Sequence, residues 1–132
     1  SRPLDRKRIY PPIDVFLSLS RMMKEGIGEG KTREDHNNVF MQSYAMYAEG
    51  NYLREISTVI GSEALTDRDK LYLSAADRFE KEFISQDENS RRTVEETLGI
   101  AWNIFSMLPQ EDLKLINEKY IKKYHPSVSG GE

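Results

Sequence analysis

The chain has 132 residues, 31% charged and 38% hydrophobic, with a formal net charge of −3 and no cysteine. That length fits one domain with its own core, and the lack of cysteine excludes a disulfide scaffold, a Cys-ligated zinc site and a cysteine nucleophile. No run approaches ~18 consecutive apolar residues, so no membrane span is expected, and the weakly acidic balance argues against nucleic acid as the main partner. No signal peptide opens the sequence, which fits a soluble intracellular domain. The first residue is Ser1 rather than Met, which points to a fragment or a processed chain.

Residues 1–31 are rich in proline and glycine, with Arg2, Arg6, Lys7 and Arg8 at the start, Tyr10-Pro11-Pro12 next and Gly26-Ile27-Gly28-Glu29-Gly30 near the end. Such punctuation resists a continuous helix and predicts extended chain and loops. Ile13-Asp14-Val15-Phe16-Leu17 fits one short strand, whose pairing partners must lie elsewhere.

From Lys31 onward the signals are helical. Three S/T-x-x-[DE] patterns occur: Thr32…Asp35, Thr66…Asp69 and Thr93…Glu96. A threonine at the N-cap satisfies an orphan backbone N–H, and the acid three residues on reaches back and suits the helix dipole. The first pattern precedes Phe40, Tyr44, Tyr47 and Ala48 and predicts a helix ending at Gly50. The second precedes Leu71, Ala75, Phe79 and Phe83. The third precedes Val94, Leu98, Ala101, Trp102 and Phe105, ending before Pro109. Shorter helices are expected over 53–60, closed by Gly61, and over 112–124, closed by Pro126. Residues 127–132 read as a frayed tail. The fold class is therefore all-α: a bundle of about five helices over 32–126, preceded by an extended remnant over 1–31.

Candidate chemistry is sparse. Gly30-Lys31-Thr32 resembles the end of a P-loop, but the glycine required five residues earlier is Glu25, and a carboxylate there repels phosphate. His36 and His125 are the only histidines and lack the converging ligands a metal needs, so surface or packing roles are expected and no metal site. Glu95-Glu96 and Asp67…Asp69 fall in first helical turns, where acids are expected on dipole grounds. Lys119, Lys122 and Lys123 form a basic cluster near a helix C-terminus. No G-x-S-x-G elbow or Ser/His/Asp set is present, so no catalytic residue is assigned to the isolated chain. Arg21, after Ser18-Leu19-Ser20, is the exception. A rigid guanidinium projected at the edge of a domain can stabilise a transferring γ-phosphoryl group, or simply pair with a nearby carboxylate.

Ile9-Tyr10-Pro11-Pro12-Ile13-Asp14-Val15, Ser18-Leu19-Ser20-Arg21 and Gly26-Ile27-Gly28-Glu29-Gly30-Lys31-Thr32-Arg33-Glu34-Asp35-His36 resemble the B subunits of archaeal A-type and vacuolar-type rotary ATPases. The likeness continues in register through Tyr44-Ala45, Tyr47-Ala48, Gly50, Ile60-Gly61-Ser62-Glu63-Ala64-Leu65-Thr66, Phe79-Glu80, Phe83, Arg92-Thr93-Val94-Glu95-Glu96-Thr97-Leu98, Trp102 and Leu108-Pro109. It covers residues 1 to about 126. Leu17 stands where the family usually has proline and Met22 where it has leucine.

The resemblance implies the C-terminal piece of a longer, non-catalytic, regulatory subunit, with residues 1–31 as the edge of its nucleotide-binding domain. It implies a hexameric ring alternating with catalytic A subunits, contact with central stalk subunits, and a peripheral place on the cytoplasmic face of the cell membrane without insertion. The parent machine would make or use ATP while moving protons or sodium ions. Arg21, and more weakly Ser20, would meet ATP in trans at the neighbouring A subunit, where ATP or ADP with magnesium sits; no cofactor is expected on the chain alone. Glu63, Leu65, Asp67, Arg68 and Asp69 match a segment expected to face the stalk. The rival reading is a helical adaptor or nucleic-acid-binding domain unrelated to ATP, resting on the basic residues at the start of the chain and at 119–123.

Overall fold

The computed structural model describes residues 33–85 and 94–129, which form helices joined by turns, with no strand among them. The first helix, α1 (His36–Ile60), is 25 residues long. Gly61 ends it, with a positive φ of 93° that glycine adopts without strain, its N–H bonded to the Ser57 carbonyl. A 3₁₀ turn (Ser62–Ala64) leads into α2 (Asp67–Phe79), whose backbone then widens to π-helical pitch over Glu80–Ser85. Next come α3 (Val94–Phe105), a 3₁₀ turn (Gln110–Asp112), α4 (Glu118–Tyr124) and the single turn α5 (Pro126–Ser129).

Helix α2 folds back along α1, and α3 packs on both. Their shared core holds Met46, Tyr47, Ala75, Ala76, Phe79, Leu98, Trp102, Ile104 and Phe105. Fully burying each large apolar side chain contributes about 1.5–3 kcal/mol. Helices α1 and α2 approach closely at Gly50, where an added Cβ would stand 2.4 Å from the Ala76 Cβ and 2.9 Å from the Tyr72 carbonyl oxygen.

Several expectations are corrected. Gly50 does not stop the first helix: the predicted 53–60 helix is its continuation, and the glycine serves helix contact rather than termination. The predicted 112–124 helix shrinks to α4, because Asn117 caps a new helix there with its side chain accepting from the Lys119 N–H. Lys119 consequently sits in the first turn of α4, leaving only Lys122 and Lys123 in its last. On α1 the core face runs through Val39, Met46, Tyr47 and Leu53, while Tyr44 is exposed. On α2 it is Tyr72, not Leu71, that turns inward. Within the expected tail, residues 127–129 complete the single turn that begins at Pro126. The predicted strand over 13–17 and the remaining tail lie outside the described residues.

Candidate functional site

The corner between α1 and α2 is built from local bonds. The Ala64 N–H donates to the Gly61 carbonyl and the Leu65 N–H to the Ser62 carbonyl. Thr66 and Asp69 form a complete capping box: the Asp69 N–H donates to Thr66 Oγ1 at 3.0 Å, and the Thr66 N–H to Asp69 Oδ2 at 3.1 Å. Within this corner the five expected stalk-facing residues part company. Leu65 is buried in the core and offers no side chain to a partner. Asp69 is half-buried in the capping box. Glu63 and Asp67 are exposed.

Arg68 is committed elsewhere. Its Nε donates to Asp112 Oδ2 at 2.9 Å, and its guanidinium lies 4.5 Å from the centre of the Tyr72 ring. The Tyr72 hydroxyl donates to the same Asp112 oxygen at 3.2 Å. Burial, and then the Asp112 carboxylate, push the Tyr72 phenol up to about 12. Sequence patterning gives Asp112 only a place at the start of the expected 112–124 helix, without a partner.

A second feature escapes sequence reading altogether. Glu34, Asn38 and Gln42 repeat every four residues, on one face of α1 and its lead-in. Glu34 accepts from Lys123 Nζ at 2.7 Å and from the Tyr124 hydroxyl at 2.8 Å. The Lys123 bond chiefly, then the Tyr124 bond, lower the Glu34 carboxyl below its ordinary range. Asn38 Oδ1 accepts from the Asn117 N–H at 2.8 Å, and the buried Gln42 Oε1 from the Leu115 N–H at 3.0 Å. This ladder holds the connector between α3 and α4 against α1. On the opposite seam, Arg54 donates to Asp77 at 2.6 Å and to Asn51 at 3.0 Å, while the Tyr47 hydroxyl donates to Glu80.

Helix α1 begins at His36 with Asp35 itself at the N-cap position and without a side-chain cap bond, and the Thr32 half of the expected Thr32…Asp35 box lies outside the described residues. The fully buried Asp35 carboxylate takes a two-pronged bond from Arg33, at 2.8 and 2.9 Å, and one from Trp102 Nε1 at 2.7 Å. Arg33 also lies 3.9 Å from the centre of the Tyr124 ring, and the Trp102 ring packs against Phe105, Tyr124 and His125. Both histidines are buried packing residues. Glu95 and Glu96 sit in the first turn of α3, as expected of acids there. Among the described residues no group of three or more His, Asp or Glu side chains is poised to hold a metal, and no helix is long and apolar enough to cross a membrane. Ser20, Arg21, Thr32, Thr93 and the 26–32 loop lie outside the described residues.

Residues 25–125 match the family described as the C-terminal domain of V and A type ATP synthase. The chain belongs to that family. Across 98% of its length it is 58% identical to the B subunit of the A-type ATP synthase of Staphylothermus marinus, and across 99% it is 55% identical to that of Aeropyrum pernix. Identity to the corresponding B subunit of Methanopyrus kandleri is 52% over 96% of the chain. It spans 28% of the length of the first two relatives and 13% of the third. The helices, capped corner and α1 ladder are thus those of a C-terminal domain of the V and A type ATP synthase family.

Proposed function

We propose that the chain is the C-terminal part of a non-catalytic B subunit in an A-type ATP synthase. The observation that carries this reading is the similarity to B-subunit relatives, at 58% identity over 98% of the chain. In the intact machine it alternates with catalytic A subunits, on the cytoplasmic face of the membrane. The ring's ATP, with its magnesium, is held by the A subunit, and Arg21 reaches it from across the interface. The guanidinium would neutralise charge spreading over the transferring γ-phosphoryl group, a role worth roughly 10³–10⁵ in turnover. At about 1.4 kcal/mol per decade, that is ~4–7 kcal/mol of barrier.

The α1–α2 corner is the proposed contact with the central stalk. Glu63, Asp67 and the half-exposed Arg68 supply its charge, beside a turn closed by the capping box. ATP turnover by the reconstituted A/B ring, wild type against Arg21→Ala at equal assembly, tests the trans-acting role. A fall of about a thousandfold with nucleotide still bound supports it, and a change within about threefold withdraws it.

A further inference from the structure

Arg68 sits in the middle of the corner's acidic run, half-exposed and 3.9 Å from Asp69 Oδ1, and it also reaches across to the connector that follows α3. Its Nε meets Asp112 Oδ2 at 2.9 Å, its guanidinium lies over the Tyr72 ring, and Tyr72 donates to that same oxygen. Asp112 therefore gathers two donors from the first turns of α2, across 44 and 40 residues of sequence. It ends the 3₁₀ turn Gln110–Asp112, where its N–H bonds to the Pro109 carbonyl. Three and five residues on, the same connector is bound to α1 through the N–H groups of Leu115 and Asn117.

We propose that Asp112 is a positioning residue for the α1–α2 corner, acting through Arg68 and Tyr72. The proposal rests on the reading of that corner as the stalk contact. The physical argument concerns stiffness. The start of α2 is joined to α1 by a short turn and by core packing at Leu65 and Tyr72, and its outer side, where Arg68 lies, is the side those links leave free to tilt. Tying Arg68 to the α3–α4 connector, itself held to α1, closes the lever into a triangle: α1, the start of α2, and the connector. A push on Glu63 or Asp67 then moves the bundle rather than bending the corner. The Asp112 side chain is 16% exposed, so water competes with it less than with a fully solvated ion pair. Arg68, at 47%, is held from a second side by the aromatic ring.

The test uses the full-length protein assembled with its A-subunit and stalk partners, with assembly confirmed by sizing. Amide hydrogen exchange over 64–70 is followed in Asp112→Asn, Arg68→Met, the double variant and Asp112→Glu. Exchange is expected to rise about three- to tenfold in each single neutralising variant, with a rise in the double well short of the product, because the Arg68–Asp112 pair is lost in all three. Asp112→Glu, which keeps the charge, is expected to stay near wild type. Unchanged exchange in the single variants, or effects that multiply in the double, would overturn the latch. The second readout is ions moved per ATP hydrolysed, expected to fall about twofold or more in Asp112→Asn while hydrolysis persists. Faster exchange with an unchanged ratio would instead overturn the corner's coupling role, so the two failures are told apart.

Discussion

Trp102 Nε1 donates to Asp35 Oδ2 at 2.7 Å, joining residues 67 positions apart inside the core. The contact links the start of α1 to the middle of α3, and Arg33 closes it from the outer side. It gives a physical reason for two residues of the resemblance, the Asp35 of the Glu34-Asp35-His36 run and the isolated Trp102. An indole buried in this way needs an acceptor, and a buried carboxylate needs donors.

Asp35→Ala is expected to cost about 2–4 kcal/mol, since it orphans the indole N–H and takes the carboxylate from Arg33 at its half-buried position. Asp35→Asn, which keeps an acceptor but not the charge, should lose roughly half as much. The chain's single tryptophan makes the site self-reporting. Urea unfolding followed by Trp102 emission measures the loss, and an Asp35→Ala midpoint equal to wild type would contradict it.

Gly50→Ala opposes two effects of known sign. Alanine favours the helix by up to about 1 kcal/mol. Its Cβ, however, would overlap the Ala76 Cβ and crowd the Tyr72 carbonyl, neither of which can yield without moving α2. Overpacking of this kind costs about 1–3 kcal/mol, so a net loss of stability is expected in thermal or urea unfolding. A stabilised variant would mean that the helices separate freely.

Burial lowers the pKa of His125 below its ordinary 6.5. The Ser127 N–H donates to its Nδ1 at 3.1 Å, so that nitrogen carries no proton in the fold. The unfolded chain therefore binds this proton more readily, and the contribution is fully present above pH 6.5. It is lost as pH falls from there through the lower folded value. An NMR titration should place the His125 midpoint below 6.5, with His36→Gln used to assign the two rings. A midpoint at or above 6.5 would refute the prediction.

Gln42→Ala removes the acceptor for the Leu115 N–H and should cost about 1–2 kcal/mol. The damage should be local, loosening the connector that carries the exposed Lys114. Tryptic cleavage after Lys114 is expected to accelerate several-fold relative to other sites. Cleavage faster everywhere, in proportion, would point to global unfolding instead.

What is legible in the sequence is what the chain decides locally. Thr66…Asp69 forms its capping box because all four participating atoms lie within one turn. The buried face of α3 follows from Leu98, Ala101, Trp102 and Phe105 at helical spacing. Asp35 follows the same pattern after Thr32, which lies outside the described residues, and its bond from a tryptophan 67 residues away is one that no local rule reports. Gly50 signals a helix end through its low propensity, whereas tertiary contact with Ala76 makes that lack of a side chain useful. The partner of the exposed Arg68 is not legible because Asp112 is 44 residues distant. Arg21 is singled out by its chemistry with a carboxylate partner as the alternative, its trans role and Ser20 are reached only by resemblance, and both residues lie outside the described residues.

The four-residue repeat of Glu34, Asn38 and Gln42 makes α1 sensitive to phase as well as composition. One residue inserted between 38 and 42 would turn the lower part of the helix by about 100° relative to the upper. No side chain would have changed identity, yet the acceptors could no longer meet Leu115 and Lys123 together. Length variation among natural versions of this domain should therefore spare 34–42 and collect in segments that no ladder measures.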